Sequence, residues 1–292
     1  MDAEYANTPV AVMARNLPVS KSGYHAWRIR RRGVQPPSVA AQLRSDRQVK
    51  VLSLHKDSLG TYGSPRITAD LRELGEKVSK NTVAIMMAGL GIAGISPRTF
   101  KVRTTIIDPS ASFPPDLVDR CFDQGRIDAV WTSDITYLTC GEGDLYFCAI
   151  KDEHSKRILG WKVDDHMRAE LVGECITAAA AVRGGECAGT IFHSDRGSQY
   201  TSRHVTDIAA GHGLLRSMGA TGICWDNAGA ESLWSTFKHE YYYRHTFTTK
   251  AELIAAVDAW IHRYNTVRRH SAIGQLSPVQ YEVASTAVNQ AA

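Results

Sequence analysis

Three acidic residues, Asp134, Asp195 and Glu231, occur in local settings suited to holding divalent cations against a phosphodiester. Asp134 lies in Ala129-Val130-Trp131-Thr132-Ser133-Asp134-Ile135-Thr136-Tyr137. Asp195 closes the apolar stretch Thr190-Ile191-Phe192-His193-Ser194 and opens the turn Arg196-Gly197-Ser198-Gln199. Glu231 follows Asp226-Asn227-Ala228-Gly229-Ala230, where a helical pattern begins, and 35 residues separate it from Asp195. Three carboxylates gathered at one place repel each other, so at least one pKa rises unless cations neutralise them. Ligation by oxygen alone, with open positions left over, suits Mg²⁺ or Mn²⁺. Two such ions about 3.5–4 Å apart activate the attacking oxygen and stabilise the leaving one in an in-line displacement at phosphorus. The expected chemistry is displacement at a phosphodiester without a covalent protein intermediate.

The elements around these acids are what could bring them together. Residues 129 to 138, 145 to 151 and 157 to 164 are rich in β-formers and separated by turn signals, which predicts an antiparallel meander. A helix over about 169 to 182, a short strand 190 to 194, a helix near 201 to 212, a strand near 214 to 218 and a helix from about 226 follow. The result is an α/β class fold, a mixed five-stranded sheet flanked by helices. On the first strand Asp134 shares a face with Val130, Thr132, Thr136 and Leu138, where a carboxylate is costly unless a cation pairs with it. Asp195 stands where a strand gives way to a Gly-containing loop, a usual place for a site in sheets with parallel strands. On the Ala230 to Tyr241 helix, Glu231, Ser235, Lys238 and Tyr242 form a polar stripe beside the apolar Ala230, Leu233, Phe237 and Tyr241. Lys238, two turns beyond Glu231, is placed to hold a DNA phosphate, although exposed helical charges are common. Asp128 is in phase with Asp134 and competes for the first position. His154 and His193 are weaker metal-ligand candidates, and Asp226 and Asn227 read as caps of the Glu231 helix.

Charge is unevenly distributed. The net charge of +4 combines 17 Lys/Arg against 7 Asp/Glu in residues 1 to 107 with 17 against 23 in residues 108 to 292. A basic N-terminal third is the footprint expected of a phosphate-binding module. Within it Val10 to Arg15, then Ser20 as N-cap of a second helix, make a helix-turn-helix pattern over residues 1–48, ended by Pro36-Pro37. A second helix-turn-helix-like module, 49–105, contains a helix over Val49 to Leu59, a turn at Tyr62 to Arg66 and a helix with Ile67, Leu71 and Leu74 on one face. Its last helix starts at Ser79, so Lys80, Asn81 and Thr82 would face the major groove. A linker (106–124), a core (125–245) and a C-terminal helix and tail (246–292) complete the expected organisation. No apolar run approaches the roughly 20 residues of a membrane span. The six cysteines include no Cys-x-x-Cys pair and fit reduced thiols in a cytoplasmic protein.

The chain resembles the insertion-sequence transposases of the insertion-sequence-three family, downstream-frame (OrfB) type, which share the catalytic core of retroviral integrases. The resemblance is carried by Trp131-x-x-Asp134-x-Thr136-Tyr137, by His193-Ser194-Asp195-Arg196-Gly197-Ser198-Gln199-Tyr200, and by Asp226-Asn227-Ala228-x-x-Glu231-Ser232-x-Trp234-x-x-x-Lys238-x-Glu240. Tyr264-Asn265-x-x-Arg268-x-His270-Ser271-x-Ile273-Gly274-x-Leu276-Ser277-Pro278 matches as well, as do Val19 to Trp27 and Tyr62 to Ile67 upstream. The resemblance implies a ribonuclease H-like core in which Asp134, rather than Asp128, joins Asp195 and Glu231 as catalytic metal ligands. Two Mg²⁺ or Mn²⁺ ions would serve strand cleavage at an element end and attack by the freed 3′-hydroxyl. It further implies double-stranded DNA, both element ends and target, as partner, with contacts from Lys238, Arg196, Lys80, Asn81, Thr82, Arg268 and Arg269. Two ends held together imply a dimer or more on DNA, and the upstream-frame product of the same element is a further expected partner. The expected location is the bacterial cytoplasm, at the nucleoid. In the helix after Ser79, Ala84-Ile85-Met86-Met87 replaces the more basic end usual in the family, and the zinc-binding module of retroviral integrases is absent. A structure-selective nuclease on the same core, or a DNA-binding regulator with an inactive core, are the alternatives. The intact triad with Lys238 argues against the regulator.

Overall fold

A computed structural model describes residues 8–17, 19–31, 38–96, 113–219 and 228–291. The chain begins with two short helices, α1 (Val10–Asn16) and α2 (Lys21–Arg31). Ser20 caps the second, its hydroxyl accepting from the Gly23 N–H at 2.9 Å, as the sequence pattern predicts. The next helix, α3 (Val39–Asp57), starts ten residues before the expected Val49, at Ser38, whose hydroxyl accepts from the Ala41 N–H. Its first turns carry Val39, Leu43 and Val49 in the open. With no core-facing stripe there, periodicity could not reveal them.

Helix α4 (Ser64–Glu73) absorbs most of the expected Tyr62 to Arg66 turn, because Pro65 is tolerated in the first helical turn. Helix α5 (Lys80–Gly89) starts as expected at Ser79, which accepts from the Thr82 N–H. Val51, Tyr62, Ile67, Leu71, Val83, Met86 and Met87 form the core of these three helices. Met86 and Met87 thus serve packing, which accounts for the apolar end of α5.

Five strands follow: β1 (Val130–Cys140), β2 (Gly143–Asp152), β3 (Ile158–Asp164), β4 (Ile191–Ser194) and β5 (Leu215–Met218). Their order is β3-β2-β1-β4-β5. The first three pair antiparallel, whereas β4 runs parallel to both β1 and β5. This is the mixed sheet that the alternating pattern predicts.

One face packs on α6 (Ala169–Val182), α7 (Ser198–Thr201) and α8 (Arg203–Gly211), through Trp131, Cys148, Ile150, Phe192, Val172, Ile176 and Val205. Gly160 of β3 lies so close beneath α6 that a Cβ would overlap the Cys175 carbonyl. The other face packs on α9 (Ala228–Glu240) and α10 (Lys250–Thr266) through Leu138, Phe147, Leu233, Phe237, Val257 and Trp260. The helix expected near 201 to 212 is α8, capped by the Ser202 hydroxyl, and the one-turn α7 precedes it. The C-terminal region likewise holds two helices, α10 and α11 (Pro278–Ala291). Among the described residues no helix is long and apolar enough to cross a membrane. Cys121, Cys140, Cys148, Cys175 and Cys187 are free thiols.

Candidate active site

Strands β1 and β4 run side by side only briefly. Their register pairs Val130 with Ile191, Trp131 with Phe192 and Thr132 with His193, and then they diverge. Asp134 is two residues beyond the last pair on β1, and Asp195 is two residues beyond it just past β4. Because side chains alternate along a strand, equal offsets keep the two carboxylates on one face of the sheet. The crevice lies beyond the carboxyl end of a parallel strand, where sheets of this kind place their sites.

The third acid reaches this crevice from α9. Trp234, one turn after Glu231, donates its indole Nε1–H to Asp134 Oδ2 at 3.0 Å. The Asp134 Oδ1 accepts from the Ile135 N–H at 2.8 Å. The Trp234 ring is itself clamped edge-on against Phe147 of β2, with centroids 4.8 Å apart. The indole therefore fixes both the Asp134 rotamer and the approach of the first turns of α9 to β1. Sequence inspection found Trp234 as part of a motif but assigned it no role.

The electrostatics of the three acids are set mainly by burial. Burial pushes the Asp134 carboxyl up to about 7, and the charges of Asp195 and Glu231 add to the rise against the hydrogen bonds from Ile135 and Trp234. Burial also raises Asp195, partly offset by the Gly197 N–H that its Oδ1 accepts at 3.0 Å. Glu231 is raised by burial as well. Among the described residues neither Asp195 nor Glu231 is ion-paired. Three partly buried carboxylates, each raised by burial and Asp134 further by the charges of the other two, fit hard divalent cations held by oxygen. The three are not drawn tightly together: the only trio of possible ligands within 4.8 Å of one another among the described residues is Asp164, Asp165 and His166. That trio lies at the exposed end of β3, where Asp165 is already paired with Lys250.

Basic groups flank the crevice. Lys238 on α9 sets its Nζ 5.2 Å from the ring centroid of the exposed Tyr137. Burial lowers its pKa, and the Asp134 charge opposes the fall. Arg196, directly after Asp195, rests its guanidinium 4.6 Å from the Phe113 ring centroid, and its Nε has no hydrogen-bond partner among the described residues. Farther away, Lys80 and Asn81 are exposed on the first turn of α5, whereas Thr82 contributes to the Ser79 cap through a hydroxyl contact of 2.9 Å.

Arg268 and Arg269, expected at the DNA, are instead held inside the protein. Arg268 is 8% exposed and grips Glu240 with Nε at 2.8 Å and Nη2 at 2.7 Å. Arg269 is 7% exposed and pairs with Asp70 and Glu73 of α4. Its backbone N–H donates to the Tyr62 hydroxyl at 2.8 Å, and Arg66 reaches Glu240 at 3.3 Å. Arg269 thus fastens the segment after α10 to α4, and Arg268 fastens it to α9, where Arg66 of α4 also arrives; both guanidiniums are engaged with carboxylates of the protein.

The rival site residues also have structural partners. Asp128 accepts from Trp131 Nε1 and Arg183 Nε, each at 2.8 Å. His193 is buried with its Nδ1 2.9 Å from the Ser217 hydroxyl, and His154 lies between Asp123 and Tyr281. Asp226 and Asn227, expected as caps, lie outside the described residues.

Comparison with known proteins agrees with this architecture. Two models described as integrase core domain match residues 126–224 and 212–278, and an HTH-like domain matches residues 42–100. The chain is 32% identical over 275 residues to the transposase for insertion sequence element IS629 of Shigella sonnei, covering 94% of this chain and 92% of that protein. It is 32% identical over 285 residues to transposase InsF for insertion sequence IS3A of Escherichia coli K12, covering 97% and 96%. A looser likeness, with TM-score 0.40 and 15% identity, links 56% of this chain to 99% of the BIV integrase catalytic core domain. By sequence relatives matched over most of both chains, the chain belongs to the insertion-sequence transposases built on an integrase core domain.

Proposed function

We propose that Asp134, Asp195 and Glu231 form the metal-binding catalytic triad through which this transposase cuts and joins the DNA of its mobile element. The supporting observation is the matched offset of Asp134 and Asp195 beyond the last β1–β4 pair, with Trp234 tying the Glu231 helix to Asp134. The triad would hold two Mg²⁺ or Mn²⁺ ions, which supply charge neutralisation and Lewis acidity for in-line displacement at phosphorus. Asp134 is kept in one rotamer by two donors and must lose its proton before it binds a cation. Lys238 and Arg196 lie beside the acids and neutralise phosphate oxygens of the strand being cut. Lys80 and Asn81 face double-stranded DNA from the α5 end of the HTH-like domain, and Thr82 supports that turn through its cap. Two element ends brought together require at least a dimer on DNA, with the upstream-frame product as a further partner, in the bacterial cytoplasm.

The test uses purified protein, Mg²⁺ and a labelled duplex carrying an element end with a target duplex. Cleaved and joined products are expected. Asp195→Asn should abolish both while leaving the gel shift at moderate salt intact. Normal joining by that variant would remove Asp195 from the site, and cleavage without joining by the parent would reduce the activity to that of a nuclease.

A further inference from the structure

We propose that Lys151 and Glu153, a buried ion pair at the end of β2, are positioning residues that set the separation of the Asp134 strand from the Glu231 helix. The inference rests on the reading of these acids as metal ligands. Lys151 is 5% exposed and Glu153 is 2% exposed. The carboxylate Oε1 accepts from the Thr132 hydroxyl at 2.5 Å and from Lys151 Nζ at 3.1 Å. Lys151 Nζ donates onward to the Gly229 carbonyl at 2.7 Å. Thr132 is two residues before Asp134 on the same face of β1, and Gly229 is two residues before Glu231 in the first turn of α9. One continuous chain of charged hydrogen bonds therefore joins the backbone neighbourhoods of two catalytic acids.

The fit depends on Gly229. A Cβ there would overlap the Glu153 carboxylate, so only glycine lets the acid lie against the helix entry. That position also sets a negative charge near the N-terminal end of α9, where the helix favours it. Glu153 is held from behind, its N–H donating to the Val130 carbonyl at 2.9 Å and its Oε2 meeting Lys156 Nζ at 3.3 Å. The preceding residue locks the turn, the Asp152 carboxylate accepting from the N–H groups of Asp128, His154 and Ser155. A buried ion pair is a poor source of net stability, because desolvation offsets most of its attraction. Directional bonds do, however, define a distance in a way that apolar contacts, free to slide, do not. The sequence pattern places Lys151 at the end of a strand and Glu153 in the turn after it, and assigns neither a role.

The test is a metal titration of the free protein, followed by calorimetry with Mg²⁺ alone and by hydrogen exchange of a peptide spanning α9. Lys151→Met/Glu153→Gln removes both charges together and so leaves no lone ion buried. It should fold, bind duplex DNA without metal as the parent does, exchange faster at the first turn of α9, and bind Mg²⁺ roughly ten-fold more weakly, as loss of a ligand-orienting partner does. Thr132→Val, which keeps the β-branched shape and deletes one donor, provides the same reading if the double variant does not fold, with a fall in Mg²⁺ affinity of about three-fold. Parent-like Mg²⁺ affinity and α9 exchange in whichever variant folds would overturn the proposal. Glu231→Gln separates the two levels. If it loses Mg²⁺ affinity while the positioning variants keep theirs, only the positioning role fails. If it too binds Mg²⁺ as the parent does, Glu231 is no ligand and both readings fall.

Discussion

Replacing Asp134 by Asn should stabilise the metal-free protein at alkaline pH and do almost nothing for it in mild acid. The folded carboxyl sits at about 7 against an ordinary 3.8. An acid whose pKa is raised by folding withdraws stability as pH climbs from its unfolded value through its folded one. At about 1.4 kcal/mol per pH unit, the ionised carboxylate costs the fold about 4 kcal/mol by pH 8 and only about 1.5 kcal/mol at pH 5. Asn keeps an oxygen for the Ile135 N–H but turns an amide donor towards the Trp234 N–H, forfeiting about 1–2 kcal/mol. The variant should therefore match the parent near pH 5 and exceed it by about 2–3 kcal/mol near pH 8. At about 2–4 °C per kcal/mol for a chain of this size, the gap in Tm should widen by roughly 5–10 °C over that range. The assay is thermal unfolding with a chelator at several pH values, repeated with Mg²⁺. Because a ligand that binds only the folded state raises Tm, Mg²⁺ should lift the parent at pH 8 and leave Asp134→Asn nearly unmoved. A gap that stays flat from pH 5 to pH 8, or equal lifting of both proteins by Mg²⁺, would refute the account of Asp134 as a desolvated carboxylate that binds a cation.

Trp234→Phe keeps the contact with Phe147 but deletes the donor to Asp134; the expected cost is about 1 kcal/mol in unfolding experiments, with a Mg²⁺ requirement for cleavage that shifts upward. Lys80→Gln should reduce the salt dependence of duplex binding by about one counterion in a log–log plot. Arg268→Gln should leave that slope unchanged and instead lower Tm, since it abandons the buried Glu240; a changed slope would return Arg268 to the DNA interface. Asp128→Asn should retain metal-dependent cleavage, because that carboxylate serves Trp131 and Arg183, and loss of cleavage in a folded variant would reopen its candidacy.

Much of the fold can be read from local signals. The meander strands show through alternation and β-branched residues, and Ser20 and Ser79 mark helix starts with hydroxyls that do accept the expected N–H groups. What escaped has a physical cause in each case. The first turns of α3 bury nothing, so they carry no apolar stripe to detect. The four-residue α7, set off from α8 by the extended Ser202, is too short to show a helical period. The near approach of Asp134 and Asp195 depends on the register between β1 and β4, which is a long-range quantity that neither strand states alone.

The two arginines show where reading charge by residue type reaches its limit. Arg268 and Arg269 lie in a motif whose company suggests phosphate contact, and an arginine's fork fits phosphate and carboxylate equally well. Which of the two it meets depends on where Glu240, Asp70 and Glu73 stand after folding, across 28 to 199 residues of chain. The excess basic charge of the first 107 residues is, for the same reason, not all available to phosphate. Part of it is neutralised at the seam between α4 and the end of α9, where Arg66 joins Arg268 on Glu240. Helix α9 is thus tied at both ends by buried ions, Lys151 with Glu153 before Glu231 and Arg268 with Glu240 after it. A helix fastened in this way can present one carboxylate to a crevice with little freedom to retreat. Removing one partner at either end leaves a buried charge uncompensated, which costs far more than the pair contributes.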